Sequence, residues 1–141
     1  MKILLAVDGS PCAERAVAFA IAHAAELRAV PEVHLLHVHL PIPIGRIQAH
    51  VSHDTLQSYY REEAEEALAP SRRLLEAAGL GHAVHIHVGQ PGEIIARMAA
   101  ELGANLVVMG THGRTALVNL VTGSVAARVL HLSPCPVLLV K

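Results

Sequence analysis

The segment Leu106-Val-Val-Met-Gly-Thr-His-Gly113, separated by nine residues from Gly123-Ser124, decides the fold of this chain. Its apolar first half predicts a short buried strand that ends at Met109. Glycines follow the strand, and a helical pattern begins at Ser124. A strand that leads through a glycine-rich loop into a helix is a phosphate-binding arrangement, because glycine lets backbone N–H groups approach an anion and the helix N-terminus adds positive charge. The segment therefore predicts an anion site at a strand end.

The rest of the chain alternates between short apolar runs and amphipathic stretches. The predicted strands span residues 2–7, 33–40, 83–88, 105–109 and 137–140, and the predicted helices span 11–27, 54–78, 92–102 and 124–132. Such alternation is typical of a single α/β domain in which helices cover both faces of a parallel, doubly wound open sheet. Ligands bind such sheets outside the carboxyl ends of the strands, where Asp8 and Gly110 are predicted to lie.

Two stretches depart from this regular pattern. Pro70 lies inside the second predicted helix and is expected to kink it or to start a new turn. Residues 41–53 carry no clear periodicity and are expected to form a mobile loop. Neither departure changes the predicted fold class.

The strand ends supply the parts of a nucleotide pocket. Asp8 is an acceptor for an exocyclic amine or a ribose hydroxyl, and Val38 and Met109 are placed to line an apolar slot for a base. The candidate phosphate-binding residues are Gly110, Gly113, Gly123 and Ser124, with His112 and Arg114 as sources of positive charge. Spacing alone is a weak signal, since glycines at strand ends often form simple turns. Their position before a helix start favours the phosphate interpretation.

Lysine usage excludes two other kinds of chemistry. The only lysines are Lys2 and Lys141, so the glycine loop lacks the lysine of a P-loop and the chain interior lacks one for a Schiff base. The formal net charge is −1, there is no Trp, and the only other aromatic residues are one Phe and two Tyr. Nucleic-acid binding is therefore not expected, because it usually needs a basic face with stacking platforms.

The sequence also indicates the cellular compartment in which the protein is found. No apolar run is long enough to span a bilayer, and Asp8 interrupts the first apolar run too early for a signal peptide. Cys12 and Cys135 do not form a disulfide framework and fit a reducing environment. We therefore expect a soluble cytoplasmic protein.

Taken with its surroundings, the glycine loop resembles the motif of the ATP-binding branch of the universal stress protein family. That motif is Gly, two residues, Gly, nine residues, Gly and Ser or Thr, which matches Gly110 to Ser124 without a gap. Other matching segments are Ile3 to Ser10, Leu35 to Val38, Gly89 to Pro91 and Pro134 to Val140. The resemblance covers the chain except for residues 41–80. Asn105 stands where the family usually has Asp, and Ala6 is smaller than the residue in some relatives.

The resemblance implies a Rossmann-like fold of the adenine nucleotide alpha hydrolase type, with five strands in the order 3-2-1-4-5. It implies ATP, or AMP or another adenine nucleotide, with or without Mg²⁺, and a homodimer formed by antiparallel pairing of the last strands, Val137–Val140. Adenine would contact Asp8 and Val38, and the ribose and phosphates would contact the glycines and Ser124. The implied pocket also includes Ala6, Val7 and Val125. A role as a nucleotide-occupied sensor or regulator of an unknown protein partner follows.

Slow ATP hydrolysis is the first alternative function. Hydrolysis needs a positioned water molecule and charge neutralisation, usually by Mg²⁺. Asp8 is expected at the adenine end, far from the γ-phosphate, and a lone loop histidine such as His112 is more often an anion contact than a catalyst. We therefore predict no catalytic residue.

Histidine-mediated metal binding is the second alternative, raised by eleven histidines. The third strand region carries His82, His85 and His87, and the second carries His34, His37 and His39. On a strand, alternate residues share a face, so His37 and His39 face away from His34. If the two strands lie apart in the sheet, their imidazoles do not converge. No Cys-x-x-Cys or His-Glu-x-x-His signature is present, and ordinary surface or partly buried histidines are the simpler interpretation.

A redox role for Cys12 is the third alternative. A helix N-terminus can lower a thiol pKa, but no partner cysteine is close in the sequence. A small packed residue is the simpler interpretation for Cys12, and likewise for Cys135.

Overall fold

The computed structural model describes residues 1–42, 52–113 and 122–141. Its strands are β1 (Lys2–Val7), β2 (Glu32–His39), β3 (His82–Val88), β4 (Leu106–Gly110) and β5 (Val137–Val140). Its helices are α1 (Pro11–Ala24), α2 (His53–Ala77), α3 (Pro91–Leu102) and α4 (Ser124–Leu132). The strands form one parallel sheet in the order β3-β2-β1-β4-β5, which confirms the predicted fold class and strand order.

Alternation along the central strand divides the interior into two cores. Leu4 and Ala6 of β1 pack with residues of α3 and α4, whereas Leu5 and Val7 pack with residues of α1 and α2. This division follows from the strand geometry, because successive side chains point to opposite faces of a sheet. Branched aliphatic residues and alanines make up most of both cores, and Met98 and Met109 add to the α3/α4 core. Each sheet face is thus covered by a pair of helices.

The first helix begins as the sequence predicts. Ser10 is its N-cap and accepts a hydrogen bond from the backbone N–H of Ala13, at 3.2 Å, and Pro11 occupies the first helical position. The capping hydroxyl satisfies one of the unpaired donors of the helix start, and proline at the first position has no N–H to leave unpaired. Because α1 follows β1 after a short turn, its N-terminus lies at the carboxyl edge of the sheet.

The observed elements begin and end within three residues of the predicted ones, and the largest difference is at α1, which ends at Ala24 instead of residue 27. The helix α2 continues through Pro70 as one helix, so Pro70 does not divide it, and the expected kink stays a prediction. Strand β4 extends one residue further than predicted, because Gly110 pairs with Val140 of β5. Residues 43–51, most of the predicted loop, lie outside the described residues. In the described ranges, no helix combines the length and apolar character needed to cross a membrane.

Candidate functional site

An apolar floor forms on the α3/α4 face of the sheet, near the carboxyl ends of the strands. Ala6 and Met109 are partners in the β1–β4 register, and both belong to the α3/α4 core. Val38 of β2 packs against the same core. Val38 and Met109, which were predicted to line the base slot, are thus brought to one face together with Ala6 of the implied pocket. The side chain of Val7 packs in the opposite core, so this face of the sheet excludes it.

Asp8 joins the end of β1 to the loop after β4. Its Oδ1 accepts a hydrogen bond from the backbone N–H of Ser10, at 3.0 Å, which fixes the turn between β1 and α1. A Cβ atom built on Gly113 would lie 2.7 Å from Asp8 Oδ2. Only a glycine therefore lets the loop lie this close to the carboxylate. The structure brings together the predicted base contact and the predicted phosphate loop.

Gly110 has a different environment from the one its motif predicts. It is a buried strand residue, and a Cβ atom on it would meet the carbonyl carbon and Sγ of Cys12 at 3.0 Å. The absent side chain admits the first turn of α1 against β4. Its glycine identity is explained by this helix packing, and the loop proper begins at Thr111.

Gly123 and Ser124 form the start of α4, as predicted. Gly123 is the N-cap, with an extended backbone (φ −67°, ψ 158°), and Ser124 is the first helical residue. The backbone N–H of Gly123 donates to the carbonyl of Thr111, at 2.7 Å. Val125, the next residue, packs against the α3/α4 core. The helix N-terminus is thereby held beside the end of β4, on the side of the sheet that carries the apolar floor.

Thr111 is the residue of this region that the sequence interpretation missed. It is 6% exposed, and its backbone N–H donates to the carbonyl of Val140, at 2.9 Å. Its Oγ1 lies 3.0 Å from His112 Nδ1. Thr111 therefore connects β5, the glycine loop and the predicted charged residue His112. The only sequence signal was its place directly after the strand. Arg114 lies outside the described residues.

A cavity of about 580 Å³ opens beside this loop, between the β1–α1 turn and the segment after β4. Its lining includes Arg15 of α1 and Lys141, neither of which was a candidate in the sequence analysis, together with His112 and Gly113. Arg15 Nε donates to the backbone oxygen of Lys141, at 2.7 Å. The cavity lies at the switch point of the strand order, where doubly wound sheets bind ligands.

Cys12 forms part of the wall of this cavity. Its Sγ donates to the carbonyl of Val140, at 3.0 Å, and lies 3.6 Å from Thr111 Oγ1. Burial raises the pKa of the Cys12 thiol, but hydrogen bonds from His112 and Thr111 and the charge of Arg15 outweigh burial, so the pKa is lowered. Both cysteines are free thiols. The contacts of Cys12 agree with a packed residue.

The histidine-rich strands β2 and β3 are neighbours in the sheet. Their imidazoles were expected not to converge if the two strands lay apart, and this condition is not met. His34 and His85 meet directly, with Nδ1 of the first 3.0 Å from Nε2 of the second, and His34 Nε2 lies 3.0 Å from Glu32 Oε1. His37, on the other face, is buried and bonds to the carbonyl of Val7. Within residues 1–42, 52–113 and 122–141, no three His, Cys, Asp or Glu side chains are arranged to hold a metal ion.

Comparison with known proteins gives a consistent family assignment. A model of the universal stress protein family matches residues 1–141. Universal stress protein MJ0531 of Methanocaldococcus jannaschii is 35% identical over 140 residues, which cover 99% of this chain and 81% of that protein. The Thermus aquaticus universal stress protein from the QAH/OAS sulfhydrylase 3′ region is 34% identical over 145 residues, covering 99% and 97%.

Solved structures agree with the sequence comparisons. Protein MJ0577 of M. jannaschii superposes with a TM-score of 0.84 and 34% identity, covering 99% of this chain and 94% of that one. A universal stress protein solved in complex with cAMP superposes with a TM-score of 0.71 and 25% identity, covering 100% and 97%.

Proposed function

The chain belongs to the universal stress protein family, and on this premise we propose that it binds an adenine nucleotide, ATP in the first place, and acts as a nucleotide-occupied sensor or regulator. A relative of 25% identity was solved with cAMP, which supports an adenine nucleotide as the class of ligand. The complete glycine motif from Gly110 to Ser124 supports ATP.

One observation carries this proposal, namely the contact between Asp8 and Gly113. The carboxylate supplies an acceptor for the amine of adenine or a ribose hydroxyl, and it lies against the loop whose N–H groups suit phosphates. The apolar floor of Ala6, Val38 and Met109 offers a surface on which a base can lie. These are the parts that a nucleotide needs, placed at one edge of the sheet.

The proposal is tested by nucleotide affinity in glycine variants. We expect Gly113→Val and Gly123→Val to weaken ATP binding at least tenfold in calorimetry, because each added side chain would meet Asp8 or the carbonyl of Thr111. Gly81→Val is the matched control, since a Cβ atom there meets nothing within 4 Å. Unchanged affinity in both loop variants would place the site elsewhere. Mass spectrometry of nucleotide released from fresh protein identifies the ligand.

We further propose binding without efficient turnover. In the proposed binding mode the Asp8 carboxylate is engaged by adenine, so it does not serve as the base that hydrolysis at the γ-phosphate would need. Phosphate release from ATP and Mg²⁺ by purified protein is therefore expected to stay at background. A steady-state rate that falls with Gly113→Val would instead make the protein an ATPase.

The proposed assembly is a homodimer through β5. Strand β5 is an edge strand whose four residues are all half-buried. The carbonyl of Pro136 accepts a hydrogen bond from Val107 of β4, and the carbonyl of Val140 accepts one from Thr111, which follows β4. By strand alternation the backbone groups of Val137 and Leu139 therefore face the open edge. An exposed apolar edge of this kind favours pairing with another strand.

Sedimentation tests the dimer. The native chain is expected to sediment as a dimer, and Leu139→Pro, which removes an outward donor, as a monomer with unchanged circular dichroism. A monomeric native chain at micromolar concentration would refute the proposal.

We also propose a cytoplasmic location, which the two free thiols support and cell fractionation tests.

A further inference from the structure

The imidazole pair formed by His34 and His85 lies outside the proposed nucleotide site. His34 is near the start of β2, whereas the nucleotide residues are proposed at the carboxyl ends of the strands. His85 is the register partner of Leu36, a residue of the α3/α4 core, so both histidines lie on that face of the sheet. We propose that this pair binds one Zn²⁺ ion between β2 and β3, and that Glu32 orients His34 for it.

Glu32 determines which nitrogen of His34 is available to a metal ion. Its Oε1 lies 3.0 Å from His34 Nε2. A carboxylate only accepts hydrogen bonds, so Nε2 carries the proton and donates it, and Nδ1 keeps the lone pair that faces His85. A histidine that donates to a carboxylate through one nitrogen and binds the metal through the other is the usual arrangement in zinc sites.

The spacing of the two facing nitrogens suits two ligands of one ion. Zinc–nitrogen bonds of about 2.0–2.1 Å place two nitrogens of a tetrahedral ion roughly 3.3 Å apart. His34 Nδ1 and His85 Nε2 are 3.0 Å apart, with ring centroids 5.2 Å apart, so the pair needs to open by only about 0.3 Å while the rings pivot toward the ion. The proton that His85 Nε2 donates to His34 moves to the other nitrogen of His85, which frees both lone pairs.

The surroundings keep the pair ordered and leave it accessible. His34 is 7% exposed and is held between Glu32 and His85. His85 lies on the edge strand β3 and is only partly buried, so the ion can enter from solvent. Among the residues that the structure describes, no third His, Cys, Asp or Glu side chain completes the set, so water fills the remaining positions of the ion.

The charges near the pair favour a cation that also stabilises the sheet. Glu32 supplies a negative charge beside His34, and Lys2 Nζ, 3.8 Å from the same carboxylate oxygen, also donates to the carbonyl of Leu102. Both imidazoles are uncharged when they bind a metal. Because the ion connects the edge strand β3 to β2, its binding should raise the free energy of unfolding.

The test is a Zn²⁺ titration of the full chain without nucleotide, by calorimetry and by thermal unfolding. We expect the native chain to bind Zn²⁺ and to melt at a higher temperature with it. Glu32→Gln keeps both ligands and should weaken binding by roughly tenfold, and His34→Gln and His85→Gln should each weaken it further. His131→Gln is the control and should bind like the native chain, because His131 is exposed on α4.

Co²⁺ in place of Zn²⁺ separates this site from the two thiols, since a thiolate ligand adds a charge-transfer band in the near ultraviolet and imidazoles do not. The proposal is wrong if the native chain binds no Zn²⁺ at millimolar concentration, if the thiolate band appears, or if folded His85→Gln binds as tightly as the native chain. Glu32→Gln serves as the second variant should the loss of the buried His34 impair folding. Each of these results leaves the nucleotide proposal unaffected.

Discussion

Gly123 and Thr111 are joined by a backbone hydrogen bond of 2.7 Å, from the N–H that begins α4 to the carbonyl that follows β4. This bond closes the glycine segment at its base, so the helix start is fixed relative to the sheet. Thr111 also donates its N–H to Val140 and is therefore held from two directions. The described part of the loop is positioned by backbone bonds, which depend little on the identity of its side chains.

The closure predicts the effect of a methyl group at Gly123. In Gly123→Ala, the new Cβ atom would lie 3.0 Å from the carbonyl oxygen of Thr111, so the closure must open by a few tenths of an ångström. We expect a loss of about 1 kcal/mol in the free energy of unfolding, measured by urea titration. Gly81→Ala, with open space at its Cβ, should unfold like the native chain. Equal stability of all three proteins would show that the Gly123–Thr111 hydrogen bond accommodates the methyl group with no loss in the free energy of unfolding.

A larger loss is expected at Gly110. The Cβ atom of Gly110→Ala would lie 3.0–3.1 Å from the carbonyl carbon, Sγ and Cβ of Cys12, and the backbone of α1 cannot move away as a side chain can. Denaturant unfolding should show a loss of about 2 kcal/mol. Adding Cys12→Ala removes only the sulfur contact and should restore the smaller part of that loss. Full restoration would show that the sulfur alone requires a glycine here.

Asn105, the departure from the family pattern, contributes an acceptor. Its Oδ1 accepts a hydrogen bond from the backbone N–H of Lys2, at 2.7 Å, and so ties the start of β4 to the start of β1. Asn105→Asp keeps an acceptor in this place and should leave the melting temperature near the native value. Asn105→Ala should cost about 0.5–1 kcal/mol, because the bond is exposed to water. A similar loss in both variants would assign the effect to the amide group.

Acid should destabilise the protein partly through His85. Burial, and then the neighbouring His34 and His87, lower the pKa of His85 from its ordinary value of 6.5. In acid, His85 therefore binds a proton more readily in the unfolded chain than in the folded chain. The free energy of unfolding consequently falls as the pH decreases below about 6.5. His85→Gln should flatten this fall between pH 7 and 5, whereas Ile86→Gln on the same strand should not. A steeper fall in His85→Gln would mean that the contact with His34 favours, instead of disfavours, protonation of His85 in the folded chain.

The sequence predicted the fold well because its signals are local. Apolar runs, the Ser10 cap and the glycine-rich turns define the strands and helices before any tertiary contact is known. The end of β4 was wrong by one residue, since only the partner strand, through Val140, makes Gly110 a strand residue. The expected strand order 3-2-1-4-5 already places β2 beside β3, but the His34–His85 contact was not predicted, because it depends on the register in which the two strands pair.

The candidate site shows the same limit. The residues of the base slot and the glycine loop followed from strand ends and from the family motif. Arg15 and Thr111 did not, because their significance depends on the cavity and on hydrogen bonds to β5 that bring distant parts of the chain together. A helix residue one turn after a cap carries no sign in the sequence that it lines a cavity.

The alternation along β1 has a consequence for how such a protein can diverge. Ala6 faces the side of the sheet that carries the proposed base slot, whereas its neighbour Val7 belongs to the other core. Replacements in the α1/α2 core can therefore adjust thermal tolerance while leaving the slot intact, and replacements at Ala6 or Val38 can reshape the slot with the second core as an unaltered scaffold. Heat resistance and ligand preference are thus two traits that selection can change separately within one small sheet.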